Sequence, residues 1–337
     1  MSTSSPLMSL VAVSKNPELR KKSSSGGVFT VLAEKIIESG GVVFGAVMDS
    51  DFAVTHTYTD NIYGLSAMRG SKYVESRLSD SFPIIKNMLE GGRLVLFSGV
   101  GCQTAGLKHY LGKDYPNLIS VNILCHGVAL PRVWKKFIDK RKENLHDVDF
   151  RDKSNGWNKY TMALHYTDHT ELLSGEENIY INGYFANLFL KSACYKCQFR
   201  NFHCQSDITL GDAWGANKQC DAIYCHDNIG ASLIMVNTNQ GKQFISQLSD
   251  RLEMQNINWH QLLEYNPAIC YNPVKNKNSE EFLRRLDKGE DIDELLRHFT
   301  RPSLYKRLEI ALTPLLKALG IKGFTKKFRK FIPLYQQ

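Results

Sequence analysis

Three thiols within eleven residues, Cys194, Cys197 and Cys204, are the residues of this chain whose spacing points most directly to chemistry. Two intervening residues let one tight turn aim the sulfurs of Cys194 and Cys197 at a single metal ion or cluster. Thiolates are soft ligands and suit zinc and iron–sulfur clusters alike. The chain carries eight cysteines in all. Its first residues, MSTSSPLMSLVAVSKNPELRKK, lack the basic start and apolar stretch of a secretory signal. The expectation is a cytoplasmic oxidoreductase whose reduced thiols serve metal binding or catalysis rather than a disulfide framework, with iron–sulfur as the favoured occupant. Two sources of further ligands stay open. Cys220 and Cys225 would complete a zinc-ribbon-like arrangement with long spacings, whereas Cys102 and Cys125 would anchor a cluster across loops at strand ends. Taken singly, Cys220, Cys225 and Cys270 read as buried structural thiols.

The elements that must position these residues read as an α/β fold. After a polar lead-in, Ser23-Ser24-Ser25-Gly26-Gly27 precedes a helical pattern with Val28, Leu32, Ala33, Ile36 and Ile37 on one face. Strand-like runs follow from Gly41 (GVVFGAVM) and Phe52 (FAVTHTY). The apolar run Arg93–Ser98 leads into a glycine-rich loop, Gly99-Val100-Gly101-Cys102, with a helix expected from about Gln103. Leu118 opens another buried strand, ending at Cys125-His126-Gly127, and a helix is expected over Pro131–Arg141 with proline in its first turn. A strand pair between Tyr160 and Leu173, a helix near Gly183–Lys191 and a buried strand from Ala231 (ASLIMVN) complete the core, and helices dominate from about Asn237. Strands alternating with helices point to an open sheet whose ligands gather at the carboxyl ends of the strands, where Cys102 and Cys125 lie. With 337 residues the chain can bury a sizeable core. No apolar run is long enough to span a bilayer.

The net charge of +8 is concentrated in one place. From Arg301 onward there are nine basic residues and one acid, so the body is balanced and carries no basic footprint for nucleic acid. Leu304, Leu308, Leu312, Leu315, Leu316 and Leu319 recur at helical spacing in this tail, with Pro314 as a kink. A basic amphipathic helix suits an anionic membrane surface or an acidic partner, and equally a terminal helix packed on the body.

Several motifs occur in order: Ser24-Ser25-Gly26-Gly27-Val28-Phe29; Gly70-Ser71-Lys72-Tyr73; Ser98-Gly99, Cys102-Gln103 and Gly106-Leu107-Lys108; Cys125-His126-Gly127; Phe150-Arg151-Asp152-Lys153 with Gly156-Trp157; Cys194-Tyr195 and Cys197; and Asp207-Ile208-Thr209-Leu210-Gly211-Asp212 with Trp214-Gly215. The series resembles the beta subunit of coenzyme F420 hydrogenase/dehydrogenase and its bacterial relatives, over roughly residues 20–215. The resemblance implies a mixed-sheet flavin- and iron–sulfur-binding core with a helical C-terminal region. It divides the chain into residues 1–115 with the flavin-binding loops, 116–236 with the iron–sulfur and substrate side, and 237–337 with the basic tail. The implied cofactors are FAD and a [4Fe–4S] cluster. Cys102, Cys125, Cys194 and Cys197 would be the cluster ligands, and Ser24, Ser25, Gly26, Gly27, Ser71, Lys72, Tyr73, Ser98 and Gly99 the flavin-binding residues.

A Ser-Ser-Gly-Gly turn at a helix start can cradle a pyrophosphate, although such a turn also serves as a plain cap. Lys72 could meet a phosphate or the electron-rich edge of a reduced flavin, or be a solvated surface lysine. His126 reads either as a support behind the cluster ligands or as a satisfied core histidine, with the core role favoured. Asp207, Asp212 and Trp214 could position the cluster loop or substrate, or equally serve as structural support. Three departures from the family pattern stand out: Gly101 where proline is usual, Cys204 as an extra thiol, and no ferredoxin-like cysteine segment before Ser23. A separate ferredoxin-like protein, a deazaflavin or a nicotinamide would then exchange electrons with the chain. Many bacterial relatives belong to surface-polysaccharide gene clusters, which implies a role there, with a peripheral position at the inner membrane face through the tail. The alternative from another class is a zinc-stabilised, non-catalytic scaffold in such a pathway.

Overall fold

A computed structural model describes residues 5–301 of the chain. The tail from Pro302, with its leucine periodicity and basic residues, lies outside the described residues.

Eleven strands occur in chain order. They are β1 (Met8–Ser14), β2 (Val42–Met48), β3 (Val54–Thr59), β4 (Val95–Val100), β5 (Leu118–Ile123) and β6 (Leu145–Asp152), then β7 (Thr161–Tyr166), β8 (Thr170–Leu173), β9 (Ile208–Asp212), β10 (Ser232–Val236) and β11 (Leu252–Asn256). The helices are α1 (Pro17–Lys21), α2 (Val28–Glu38), α3 (Leu65–Met68), α4 (Ser81–Glu90) and α5 (Gly101–Leu111), then α6 (Pro131–Asp139), α7 (Ile179–Phe185), α8 (Asn239–Ser246), α9 (Ser279–Asp287) and α10 (Ile292–Thr300). The described residues form two compact units, one from residues 5–174 and 190–274, the other from residues 175–189 and 275–301.

The first unit holds both sheets. The larger runs β11-β1-β10-β9-β5-β4-β2-β3, with β9, β5, β4 and β2 mutually parallel and the rest antiparallel. β6, β7 and β8 form a three-stranded antiparallel sheet. The central strands are nearly continuous apolar runs because both faces are covered. Val43, Leu96 and Val121 point with Leu32 and Ile36 of α2 into one core. Val42, Phe44, Val95 and Phe97 point into another with Ile85 of α4 and Leu107 of α5. This is the expected α/β architecture, a large mixed sheet sandwiched by helices. The second unit is helical among its described residues. Asn276 Nδ2 and Ser279 Oγ donate to the carbonyls of Ala186 and Leu188, and Phe189 packs on Phe282 of α9.

Five features differ from the sequence reading. β1 replaces the polar lead-in, and its partners β10 and β11 lie more than two hundred residues away, beyond any local signal. β6 carries register shifts that blur its alternation. The helix expected near Gly183–Lys191 is α7, which starts at Asn178, whose side chain caps Ile181 N–H, and ends before Ala186. β11 interrupts the helices expected after Asn237. The glycine-rich segment is no loop: β4 runs through Gly99 and Val100 directly into α5 at Gly101.

Asp207 shows how strands 87 residues apart are locked. Its Oδ2 accepts from Ser120 N–H at 2.8 Å and Ser120 Oγ at 2.6 Å, and its Oδ1 accepts from Thr238 Oγ1 at 2.7 Å. Asp207 is therefore structural support that pins β9 to β5 and to the cap of α8. Asp207→Ala strands three buried or half-buried donors and is expected to lower stability by about 3 kcal/mol. Urea denaturation checks this, and an unchanged midpoint contradicts it.

Candidate functional site

Because β2, β4, β5 and β9 are parallel, their carboxyl ends share one edge of the sheet. β10 runs the other way and β1 runs with them, so the start of β10 and the end of β1 lie on that same edge, as the pairs Ser232–Asp212 and Ala12–Ser232 require. The sequence motifs gather there.

Cys102 is the second residue of α5, Cys125 follows β5, and Cys194 and Cys197 lie on and just after the single 3-10 turn Ser192–Lys196. The antiparallel bridge between Ala129 and Leu190, with Lys191 N–H donating to the Val128 carbonyl at 2.9 Å, ties the Cys125 loop to the Cys194 segment. The four thiols lie within electrostatic reach of one another. Burial pushes the Cys102 thiol up, and Cys197 and Cys194 add to it. Burial first, then Cys194, drives Cys125 up to about 12. Cys194 is raised by burial and by Cys197. Val128 N–H points at Cys194 Sγ at 3.4 Å, and Gly127 N–H at the Cys125 sulfur. Arg200 and Lys191 lower Cys194 from outside. Cys102 is exposed, and the other three are partly covered. Among the described residues, no three or more His, Cys, Asp or Glu side chains are gathered closely enough to hold one metal ion.

The other thiols go elsewhere. Cys204 is buried with its sulfur 3.5 Å from Ser206 Oγ. Its Cβ lies 3.3 Å from where a side chain on Gly101 would begin, and the Phe199 carbonyl is 3.2 Å from that point. A side chain at position 101 would thus press on the Phe199 backbone and on the Cβ atoms of Phe199 and Cys204. Cys220 and Cys225 interact with each other, and Cys220 donates to Gln255 Oε1 at 3.1 Å. Cys270 bonds Asn201 Oδ1 at 3.5 Å.

The flavin-binding candidates fall into three joined groups. Ser24 Oγ accepts from Ser71 N–H at 2.7 Å and lies 3.0 Å from Ser71 Oγ. Ser25 Oγ donates to Asp212 Oδ1, and Asp212 Oδ2 accepts from Arg151 Nη1 at 2.9 Å. The same Nη1 lies 3.2 Å from Tyr73 OH, so Ser25 and Tyr73 meet through Asp212 and Arg151. The Ser98 carbonyl accepts from His56. Gly26 serves the fold: its N–H donates to Ser232 Oγ at 2.9 Å, its carbonyl accepts from Ser14 N–H at 2.7 Å, and an added Cβ would stand 2.3 Å from the Ala12 carbonyl oxygen. Gly26→Ala is expected to destabilise the chain by about 3 kcal/mol, because backbone cannot yield as a side chain would; equilibrium unfolding measures it. Gly27 caps α2 without a side-chain bond, so the cap leaves the first N–H groups of that helix to another acceptor.

Cations surround this turn. Lys153 Nζ donates to the Ser25 and Arg20 carbonyls, both at 2.8 Å, and burial with Arg151 and Arg20 brings its ammonium down to about 7. Arg20 is held by both oxygens of Asp227, at 2.6 and 2.8 Å. Lys72 donates to the Arg69 carbonyl at 3.0 Å and is brought to about 8 by burial. Trp214 is stacked on Trp157 with centroids 3.8 Å apart, and Arg151 lies over Tyr160 at 4.2 Å. His126 is half-buried rather than a core histidine; its carbonyl accepts from Arg200 Nη2 at 2.8 Å. The sequence reading missed His56, Ser76, Arg20 and Asp227. The charge pair is separated by 207 residues and has no local signature.

Fold and site together define an α/β protein with thiols and serine- and glycine-rich turns at the carboxyl edge of a mixed sheet. Residues 9–82 match the family model described as coenzyme F420 hydrogenase/dehydrogenase, beta subunit N-term, and residues 92–259 the model of its C terminus. The chain belongs to the coenzyme F420 hydrogenase/dehydrogenase beta subunit family, a family associated with hydrogenase and dehydrogenase activity. Its fold is similar to that of a chain in the xenon-derivatised F420-reducing [NiFe] hydrogenase complex from Methanosarcina barkeri. The TM-score is 0.53 at 14% identity, over 85% of this chain and 94% of that one. A comparison with curated proteins finds no match. Among the described residues, no helix is long and apolar enough to cross a membrane.

Proposed function

We infer that the chain is an FAD- and [4Fe–4S]-dependent oxidoreductase of surface polysaccharide biosynthesis. The observation that carries this reading is the electrostatic contact among Cys102, Cys125, Cys194 and Cys197, drawn from three separate segments at the sheet edge that also holds the Ser24–Gly27 turn. The donor set fits the cluster: four soft sulfurs, two of them receiving N–H groups from Gly127 and Val128, the kind of hydrogen bond that tunes cluster potential. A cubane spreads its cysteine sulfurs more widely than one tetrahedral zinc does.

Bound FAD would supply hydride exchange, and a bound cluster one-electron transfer. The chain's own residues bind and orient. The uncapped start of α2, with Lys153 and Arg20 behind the turn, favours a pyrophosphate. Ser24 and Ser71 would hold the flavin side, with Lys72 and Tyr73 next to them. Cys102, the exposed thiol, marks the edge at which a ferredoxin-like protein, a deazaflavin or a nicotinamide would exchange electrons. The basic tail would rest on an anionic membrane surface; vesicle pelleting that survives deletion of residues 301–337 unchanged contradicts that part. Iron, sulfide and flavin analysis of anaerobically purified protein tests the whole. Brown protein with about one FAD per chain supports it, whereas one zinc and no iron supports the scaffold alternative.

A further inference from the structure

We propose that His56, Ser76 and Gln103 form a one-directional hydrogen-bond clasp that fixes the Ser98–Gly101 backbone, making His56 a positioning residue for the redox centre. The proposal rests on the reading of the site given under Proposed function.

Each bond fixes the next. The Ser98 carbonyl can only accept, so the His56 Nε2 facing it at 3.0 Å carries the proton. Burial of His56, which is 5% exposed, keeps the imidazole neutral and lowers its pKa, with Lys72 adding to the effect. His56 Nδ1 is then a bare acceptor, and Ser76 Oγ, 3.0 Å away, must donate to it. With its proton committed, Ser76 Oγ accepts from Gln103 Nε2 at 2.9 Å. Gln103 Oε1 in turn accepts from Val100 N–H at 3.0 Å. The chain leaves the end of β4 at Val100 and returns to it at Ser98, immediately before Cys102.

A second observation points to the same device. A Cβ on Gly99 would lie 3.1 Å from both Gln103 Cβ and Gln103 Oε1 and 3.0 Å from Phe97 Cε1. The glycine makes room for the clasp, and Phe97 also stacks against the His56 ring with centroids 5.5 Å apart. The segment that joins a flavin-binding candidate to a cluster-ligand candidate is thereby held from the side through its backbone at Ser98 and Val100. Such outer support is what sets the orientation and potential of a redox centre.

The test begins with the full chain carrying 15N-labelled histidine. Multiple-bond correlation spectra at pH 7 are expected to show His56, identified by its loss in His56→Gln, as the Nε2–H tautomer. The Nδ1–H tautomer or an imidazolium overturns the clasp. In anaerobically reconstituted protein, His56→Leu is expected to change the ratio of oxidised to reduced centre at fixed poise by about tenfold, about 30 mV for a two-electron couple. Ser76→Ala, which deletes one hydroxyl and leaves the fold intact, is expected to shift it by about threefold. His56→Gln, whose amide offers a donor to Ser98 and an acceptor to Ser76, is expected to restore the wild-type ratio. Unshifted potentials in folded His56→Leu and Ser76→Ala overturn the positioning role. Wild-type protein that binds neither flavin nor cluster overturns the proposed function instead, and the tautomer then decides on the clasp alone.

Discussion

Cys125→Ser is expected to reduce iron uptake at least about tenfold after the same anaerobic reconstitution, with loss of the brown colour, while the chain stays folded. Serine keeps the size and a hydrogen-bonding atom but replaces a soft sulfur by a hard oxygen. Cys125 is the right position to test because it sits at the strand end, between Cys102 on α5 and the bridged Cys194 segment. Its thiol is driven up to about 12, chiefly by burial. Cys204→Ser and Cys270→Ser are the controls, because these sulfurs bond Ser206 and Asn201. Iron analysis and visible spectra report the result. Full iron in Cys125→Ser, or loss of iron in Cys204→Ser, would mean that the ligand set is drawn wrongly.

The sequence made part of this arrangement legible, and physical reasons separate that part from the rest. Val28–Glu38 announced itself as a helix by its apolar face, and Val95–Val100 and Leu118–Ile123 as strands by runs that fit a sheet buried on both faces. Cys194 and Cys197 were visible as a chelating pair, and the ordered motifs drew Cys102 and Cys125 to them. Position along the edge was not legible. β1 depends on partners at the far end of the chain, so its seven residues looked like a leader. The spacing of Gly101 and Cys204 said nothing of their contact, which arises only once Phe199 and α5 are packed. Asp212 was noticed in its motif, but its bridging of Ser25 to Arg151 joins three segments that no local pattern connects. His56 lay inside a strand expected from its neighbours, and nothing in the alternation of VTHTYT marks its ring as the middle of a hydrogen-bond chain.

Asp212→Asn is expected to cost about 3–5 kcal/mol, because it leaves the Arg151 guanidinium buried without its counter-charge. The Arg151 side chain is 2% exposed and its Nη2 already lacks a hydrogen-bond partner, so losing Asp212 takes away its ion pair. Tyr73 OH and the faces of Tyr160 and Trp214 offer only weak compensation. With Asp212 present, the carboxylate holds the guanidinium well above its ordinary pKa despite burial, so the pair folds as ions. Removing both charges is a different matter. Arg151→Met with Asp212→Leu takes away the buried cation together with its partner, and the double variant is expected to be more stable than Asp212→Asn alone. Arg151→Lys is not expected to rescue, since one ammonium cannot face Asp212 and Tyr73 while lying flat on Tyr160. Urea midpoints for the cycle measure this, and a cost below about 1 kcal/mol for Asp212→Asn would show the pair to be dispensable. The same substitution weakens the hold on Ser25 Oγ, so flavin retention should fall with stability if that turn cradles the pyrophosphate. A variant that loses stability but keeps its flavin would confine Asp212 to the fold.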